Sequence, residues 1–299
     1  MATNKALFSD LYEPNLRKII FESYAYYPTE YDKILNVQSV DVPYIEDYKM
    51  GGFGNVPTKA EGTPIVYDDP VPGSRVRFDW TPYGKGFRVT YEAQEDDKYG
   101  PMKKMAASLG KAFRNQTELE GIKLLDNAFT VNGGFDTLPL CATNHPLLRG
   151  GTARNEPTAA TDLSVTALQD ALVDFERIVD ESGVPVMIRP KWLVVPPELA
   201  PMAREILGSQ FKPYTADNEI NIIQQYGLGL FVSHYMTVGN GAWFILADKS
   251  DHDLQYFWRN KFSVDSDVDF DTGDGKMKGY MRMGTGWGDW RGVWGSPGV

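Results

Sequence analysis

The sequence predicts an α+β fold on three observations. A helical pattern about thirty residues long runs from Tyr99 to Phe129, the stretch from Val37 to Ala93 is extended and broken by Pro and Gly, and the second half mixes helical and strand patterns. Residues 9–36 come first. Ser9 or Asp10 is a capping candidate, and Leu11, Leu16, Ile19, Ile20, Tyr24 and Tyr27 form an imperfect helical stripe that Pro28 ends. A helix this short and this near a terminus has little core of its own, so it reads as an arm lying on something else.

From Val37 to Ala93, prolines at 43, 57, 64, 70, 72 and 82 and glycines at 51, 52, 54, 62, 73, 84 and 86 exclude helices. Val76, Phe78 and Trp80 alternate with polar residues, as do Phe87, Val89 and Tyr91, which predicts two strands. PYGKG at 82–86 reads as the turn between them, and TPIVY at 63–67 as a partner strand. Two readings stay open for the whole stretch: an irregular β subdomain on its own chain, or a segment that reaches out to bind.

Tyr99–Phe129 carries apolar residues at Met102, Met105, Leu109, Ala112, Phe113, Leu119, Ile122, Leu125 and Phe129, one stripe on one helix face. Pro101 suits the first turn, where its missing N–H costs nothing. Gly110 and Gly121 each weaken the helix by about 1 kcal/mol relative to Ala. A rod of roughly 45 Å needs support along its side, so it is read as a scaffold.

A loop-like passage, VNGGFDTLPLCATNHPLLRGGTARNEPTAATD, follows. Ser164–Ser182 predicts a helix with Leu168, Ala171, Leu172, Phe175, Ile178 and Val179 on its apolar face and Gly183 as its stop. Strands are expected at Trp192–Val195, Leu228–His234 and Ala242–Ala247, the last two joined by VGNG, with a short helix from Pro197 to Leu207. Phe262, Val264, Ser266, Val268 and Phe270 alternate with Ser263, Asp265, Asp267, Asp269 and Asp271, and Met277–Met283 continues after the turn DTGDGK. The closing GTGWGDWRGVWGSPGV has no readable period.

The chain has 299 residues and a formal charge of −10, which argues against a dedicated nucleic-acid reader with its basic stripe. No run of eighteen apolar residues exists to span a membrane. The first residues lack the apolar core of a signal peptide, and Cys141 is the only cysteine, so folding in a reducing cytoplasm is expected. Asp265, Asp267, Asp269, Asp271 and Asp274 superficially suggest a calcium loop. Phe270 and Lys276 occupy the places where that loop needs Gly and Glu, and a strand with one wet face explains the alternation better. Cys141 and His145 make no dyad signature, and His145 reads as a partnerless loop residue at the surface or in a local hydrogen bond. His234 and His252 are isolated, and the glycine pairs at 51–52, 133–134 and 150–151 lack the strand–loop–helix context of nucleotide sites. Tyr83–Phe87, though aromatic and basic, is too short for a nucleic-acid platform. No catalytic, cofactor-binding or metal residue is assigned.

Two stretches together carry a resemblance. KAEGTPI at 59–65 and FRVTYEAQEDD at 87–97, both before a long helix, resemble segments of tailed-phage major capsid proteins. TNHPLL at 143–148 and PKWLVVPPELAPMAREIL at 190–207 are similar to the major head subunits of Mu-like phages. The resemblance implies a Hong Kong 97-type fold: an N-terminal arm at 1–45, an extended E-loop at 46–92 lying across a neighbour, and a P domain with the spine helix at 93–136. Most of the A domain follows at 137–250, with closing strands of the P domain at 251–299.

It further implies a non-enzymatic major capsid protein that self-assembles as hexamers and pentamers into an icosahedral head around double-stranded DNA. The implied setting is the virion, assembled in the host bacterial cytoplasm. The implied partners are a separate scaffolding protein (or none), a portal, a possible decoration protein and non-specifically contacted DNA, with no cofactor and no membrane. Lys49 and Lys59 lie in the loop, and no crosslink is expected at either. Arg75, Arg77, Arg88, Lys98, Lys103 and Lys104 are expected mainly in contacts between subunits. The competing readings are an encapsulin-like nanocompartment shell and a soluble metal-dependent enzyme using the acidic strand.

Overall fold

The computed structural model describes residues 13–69, 71–96, 100–213, 219–237 and 241–299. Its first half contains α1 (Glu13–Ala25), α2 (Tyr31–Ile34), β1 (Asn36–Ser39), β2 (Tyr44–Met50), β3 (Pro72–Asp79), β4 (Thr81–Val89), α3 (Tyr91–Asp96) and the long α4 (Gly100–Asp126). Two-residue strands follow: β5 (Asn132–Gly133), β6 (Leu138–Pro139), β7 (His145–Pro146) and β8 (Thr152–Ala153). Then come α5 (Val165–Glu176), β9 (Trp192–Val195), α6 (Ala200–Gly208), β10 (Gly229–Val232) and β11 (Trp243–Leu246). The chain closes with β12 (Leu254–Val268), β13 (Gly275–Trp287) and β14 (Val293–Ser296).

α4 is the rod the sequence predicts, 27 residues and so roughly 40 Å long. Its two interior glycines, Gly110 and Gly121, are seats for the arm. A Cβ on Gly110 would fall 2.3 Å from the Ile20 carbonyl oxygen, and one on Gly121 would fall 2.4 Å from Tyr31 Cβ. α1 therefore packs backbone to backbone on α4 and buries Leu16 and Ile20 there. The arm expected to lie on something else lies on its own chain's long helix; its capping candidates Ser9 and Asp10 are outside the described residues. Glu118 completes the joint: its carboxylate accepts from the N–H of Tyr31 at 3.1 Å and pairs with Arg114 at 3.4 Å.

One sheet has the order β1-β12-β13-β4. Met277, Met281 and Met283 are buried on its inner face, and Gly279 gives the room in which the Phe113 ring of α4 sits, 2.4 Å from where a Cβ would be. On the other face Asp265 stands opposite Lys278 and Asp267 opposite Lys276. The acidic strand is thus half of an alternating hairpin with opposite charges across it, each such pair stabilising by about 0.2–1 kcal/mol. Phe270 departs from the expected alternation; it lies past the end of β12 and is exposed.

PYGKG is not a turn. It lies inside β4, which pairs with β13 from Val89↔Gly275 to Thr81↔Met283. β4 is an edge strand, where Pro82 is tolerated, and a Cβ on Gly86 would lie 2.5 Å from the Met277 carbonyl oxygen, so glycine lets the two backbones close up. At Trp80 the chain changes partners, because β3 pairs with β2, from Tyr44↔Asp79 to Met50↔Pro72. TPIVY forms no strand, and β2 holds the place expected for it. Phe78, Trp80 and Phe257, with Ile45 and Val76 against them, form a small separate core under this ribbon.

The second sheet has the order β10-β9-β11-β14. β10 and β11 flank β9 rather than forming a hairpin, and most of the expected VGNG turn lies outside the described residues. Ser164 caps α5 by accepting from Ala167 N–H at 3.1 Å. α5 ends at Glu176, six residues before Ser182, its expected end. A bridge between Val179 and Pro185 follows, with Gly183 (φ 76°) in the turn and the Asp180 carboxylate accepting from Ser182 and Val184 N–H. β14 comes from the Gly/Trp-rich close; all four of its residues are buried, which removes any alternation to read. Among the described residues no helix is long and apolar enough to cross a membrane.

His252 is buried in the loop before β12, where its Nδ1 accepts from Leu254 N–H at 3.2 Å. Burial lowers its pKa from 6.5 to about 4. The unfolded chain therefore takes up a proton that the folded chain refuses. The stabilisation is full above pH 6.5 and is lost as pH falls toward 4, a loss of about 3 kcal/mol at 1.36 kcal/mol per pH unit. Urea unfolding of His252→Asn, whose Oδ1 replaces the acceptor, is expected to lack this limb; an unchanged limb contradicts the assignment.

Candidate assembly surfaces

The β2–β3 ribbon ends in an irregular excursion from Gly51 to Asp69. Tyr48, Met50, Phe53, Val56, Ile65, Val66 and Tyr67 are all exposed on it, Val56 at 93% and Tyr67 at 91%. Soluble monomers rarely gather exposed apolar side chains this densely, and where they do the surface is an interaction site. Phe270, exposed past the end of β12, is of the ordinary scattered kind.

The root of the ribbon is fixed by buried charge. Lys49 Nζ lies 2.5 Å from Glu181 Oε1, which also receives Arg291 Nη1 at 2.6 Å, while Leu148 N–H donates to Glu181 Oε2 at 3.0 Å. Arg291 also donates to the Val179 carbonyl at 2.6 Å and pairs with Asp289 at 2.9 Å. Burial alone would raise the Glu181 carboxyl, but the Lys49 hydrogen bond and the Arg291 charge outweigh it and hold the group below the usual carboxylate range. Lys49 also sits over the Phe135 ring, and the Ser74 hydroxyl donates to the Phe135 carbonyl.

Further out the contacts are exposed and weaker: Arg149 to Asp68 at 2.7 Å, Ser182 Oγ to the Gly52 carbonyl at 3.2 Å, and Gly54 N–H to Asp68 at 3.2 Å. The root is rigid and the tip lightly held. Lys49 is engaged at the root, and Lys59 is exposed on the tip.

His145 is not a surface residue. It is fully buried, with Nδ1 2.5 Å from Asp136 Oδ2, Nε2 2.9 Å from Asn155 Oδ1, and its ring stacked on Trp290 at 4.4 Å. Asn155 Nδ2 donates to the Leu140 and Val293 carbonyls, so its Oδ1 is the face turned to His145. Burial pushes the Asp136 carboxyl up, yet the His145 hydrogen bond and charge prevail and hold it low. The cluster fastens the 136–155 loop to β14. No periodic signal discloses it, because Asp136 and Asn155 stand nine and ten residues from His145 in an irregular loop and Trp290 comes from the far end of the chain.

Cys141 is fully buried, and burial raises its thiol well above the ordinary range, so it offers no thiolate. His234 pairs with Glu30 at 2.9 Å on the surface. Asp269 pairs with Lys276 at 2.5 Å and Asp274 with Arg88 at 3.6 Å. Among the described residues no three His, Cys, Asp or Glu side chains stand close enough to hold a metal ion. The arginines expected between subunits have partners in their own chain: Arg75 with Glu46 at 3.7 Å, and Arg77 with Asp79 at 3.0 Å and over the Tyr44 ring, beside the Arg88 pair. Lys98 lies outside the described residues, and Lys103 and Lys104 are exposed on α4.

Comparison with known proteins adds a family and a fold. The family model described as phage capsid protein matches residues 75–296. The capsid of Cyanophage P-SCSP1u superposes with a TM-score of 0.58 at 12% identity, covering 90% of this chain and 87% of that one. The capsid subunit of bacteriophage JBD30, decorated with minor capsid protein trimers, gives 0.56 at 16% identity, covering 71% and 92%. A virus-like particle from Pyrococcus furiosus gives 0.54 at 12% identity, covering 96% and 99%. Comparison with curated proteins gives no match. At these identities the structural likenesses speak for the fold, and none of them selects the Mu-like subgroup.

Proposed function

This chain belongs to the phage capsid protein family, and from that membership we propose that copies of it are laced into an icosahedral head by the β2–β3 ribbon and its 51–69 tip. The fold is of the Hong Kong 97 type and the role is structural. The observation that carries the proposal is the row of exposed apolar side chains from Tyr48 to Tyr67 on a ribbon whose root is locked by Glu181. A lightly held apolar tip on a rigid stalk suits a heterologous contact, in which one surface of a copy meets a different surface of the next and closure comes from symmetry.

In this reading the arm ends before β2, at residue 43 rather than 45, and the E-loop is the ribbon, 44–79, because β4 is already a strand of the main sheet. α4 with that sheet makes the P domain, most of 137–250 the A domain, and the expected closing span 251–299 divides: β12 and β13 return to the P domain, while β14 pairs with β11 in the A-domain sheet. The shell encloses double-stranded DNA in the virion, and the charge of −10 suits a container that holds DNA without gripping it over its whole surface. Assembly in the host cytoplasm with scaffolding, portal and decoration partners belongs to the same proposal. An encapsulin-like compartment shares the fold; the family match favours the phage head, and a cargo protein purifying in place of DNA would favour the compartment.

The variant Phe53→Asp/Val56→Asp/Tyr67→Asp is expected to abolish particles in negative stain. Its thermal midpoint should stay within a few degrees of the parent's, because exposed substitutions usually change stability by less than about 0.5 kcal/mol each. Particles at undiminished yield would refute the role of the tip.

A further inference from the structure

The hydrogen bonds around His145 fix where its protons lie. Asn155 Nδ2 donates to the Leu140 carbonyl at 2.8 Å and the Val293 carbonyl at 3.1 Å, while Asn155 Oδ1 accepts from Ala142 N–H at 2.9 Å. Turning the amide over would set donor against donor at Ala142 and acceptor against acceptor at both carbonyls, so three backbone groups hold its orientation. Oδ1 is therefore the atom that His145 Nε2 meets at 2.9 Å, and Nε2 carries a hydrogen. On the other side of the ring Nδ1 stands 2.5 Å from Asp136 Oδ2, and Asp136 Oδ1 already accepts from Leu138 N–H at 3.2 Å. A bare nitrogen cannot come so close to a carboxylate oxygen, so a hydrogen lies on this side too. The surroundings suit a charge on the ring. His145 is fully buried and stacks on Trp290 with 12° between the planes, and an aromatic face attracts a cation. Half-buried Glu156 is pushed up by burial and drawn back by the His145 charge. The nearby cations are held by other acids: Arg291, 4.7 Å from the same Trp290 ring, by Glu181 and Asp289, and Lys49, whose charge reaches Asp136, by Glu181. The Cys141 thiol, raised by burial, adds no charge.

We propose that His145 is a buried imidazolium and that its second proton is a pH-operated latch on the 136–155 loop and the ribbon root. When that proton leaves, the Asp136 carboxylate faces a nitrogen lone pair inside the protein, and the loop loses its hold on β14. The ribbon shares the consequence from two directions. Phe135, next to Asp136, lies under Lys49, and its carbonyl accepts from Ser74 of β3. Trp290, under the imidazole, precedes Arg291 of the Glu181 lock. A folded chain that binds one proton more than the unfolded chain loses stability as pH rises, so the root loosens on the alkaline side. The latch is a property of the single chain, and it stands or falls without reference to particle formation.

The test begins with nitrogen NMR of the full-length chain labelled at histidine. At neutral pH, His145 is expected to show protons on both ring nitrogens, its signals identified by elimination with His234→Asn and His252→Asn. One bare ring nitrogen on His145 overturns the proposal. The second measurement compares the parent with Asp136→Asn, whose Oδ1 keeps the Leu138 N–H and whose Nδ2 donates to His145 Nδ1. That variant leaves the imidazole neutral and the latch closed at every pH. The slope of unfolding free energy against pH reads the protons taken up on folding, and from neutral to mildly alkaline pH the parent's fall is expected to exceed the variant's by up to about one proton. Protease cleavage within residues 51–79 should rise with pH in the parent relative to the variant measured at the same pH. Equal slopes for the two chains, or a cleavage ratio that does not change with pH, overturns the latch.

Discussion

Glu181→Ala is expected to cost about 3–5 kcal/mol, because it leaves the Lys49 ammonium and one side of the Arg291 guanidinium buried without a counter-charge. Removing one member of a buried ion cluster is far more damaging than replacing the cluster, so Lys49→Met/Glu181→Leu should lose much less than Glu181→Ala alone. The pH dependence gives an independent check. The folded Glu181 carboxyl titrates below its ordinary value of 4.5, so its stabilisation is complete above that pH and disappears as pH falls through the lower folded value. Urea midpoints measured through the acid range should therefore fall more steeply for the parent than for Glu181→Gln. Loss of less than about 1 kcal/mol in Glu181→Ala, a size typical of exposed pairs, would show that the ribbon root is not locked by this charge.

Gly110→Val is expected to detach the arm. In an ordinary exposed helix, replacing glycine by alanine gains about 1 kcal/mol, but here the added Cβ meets the Ile20 carbonyl oxygen, a backbone atom that cannot swing aside. α1 must move off α4, and Leu16 and Ile20 lose the seats in which they are buried. Overpacking of this kind costs about 1–3 kcal/mol, and the loss should be confined to the arm. Limited proteolysis should cut the variant within residues 13–25 while the remainder melts near the parent's temperature. Gly100→Ala, with nothing within 4 Å of its Cβ, is the control and should show neither effect. Protection of residues 13–25 equal to the parent's would contradict the close helix packing.

These two sites show what was legible. The spacing of Met102, Leu109, Phe113 and Ile122 was enough to find α4, because a half-buried helix writes its buried face at threes and fours. Gly110 and Gly121 read only as costs to that helix, since the elements they admit lie far away in sequence. PYGKG misread as a turn because turn chemistry is local, whereas an edge strand that closes against its neighbour wants the same glycines and tolerates the same proline. Trp287, Trp290 and Trp294 gave no period because the segment holding them is buried on both faces. The extended nature of residues 46–80 was visible in their prolines and glycines. Which of their apolar side chains face solvent was not, because without regular alternation no periodicity separates an inner from an outer face. His145 was the plainest loss: an isolated histidine in a loop has no signature until Asp136, Asn155 and Trp290 are folded around it.

If copies of this chain join into a closed shell through the ribbon tip, cryo-electron microscopy of the purified chain will show the tip in place. Capsomer rings or closed particles are expected in which residues 51–69 of each copy lie on an adjacent copy, with Arg149 and Asp68 parted. Monomers at every concentration, with or without lysate from phage-infected cells, would contradict the account. So would particles in which each tip stays folded on its own subunit.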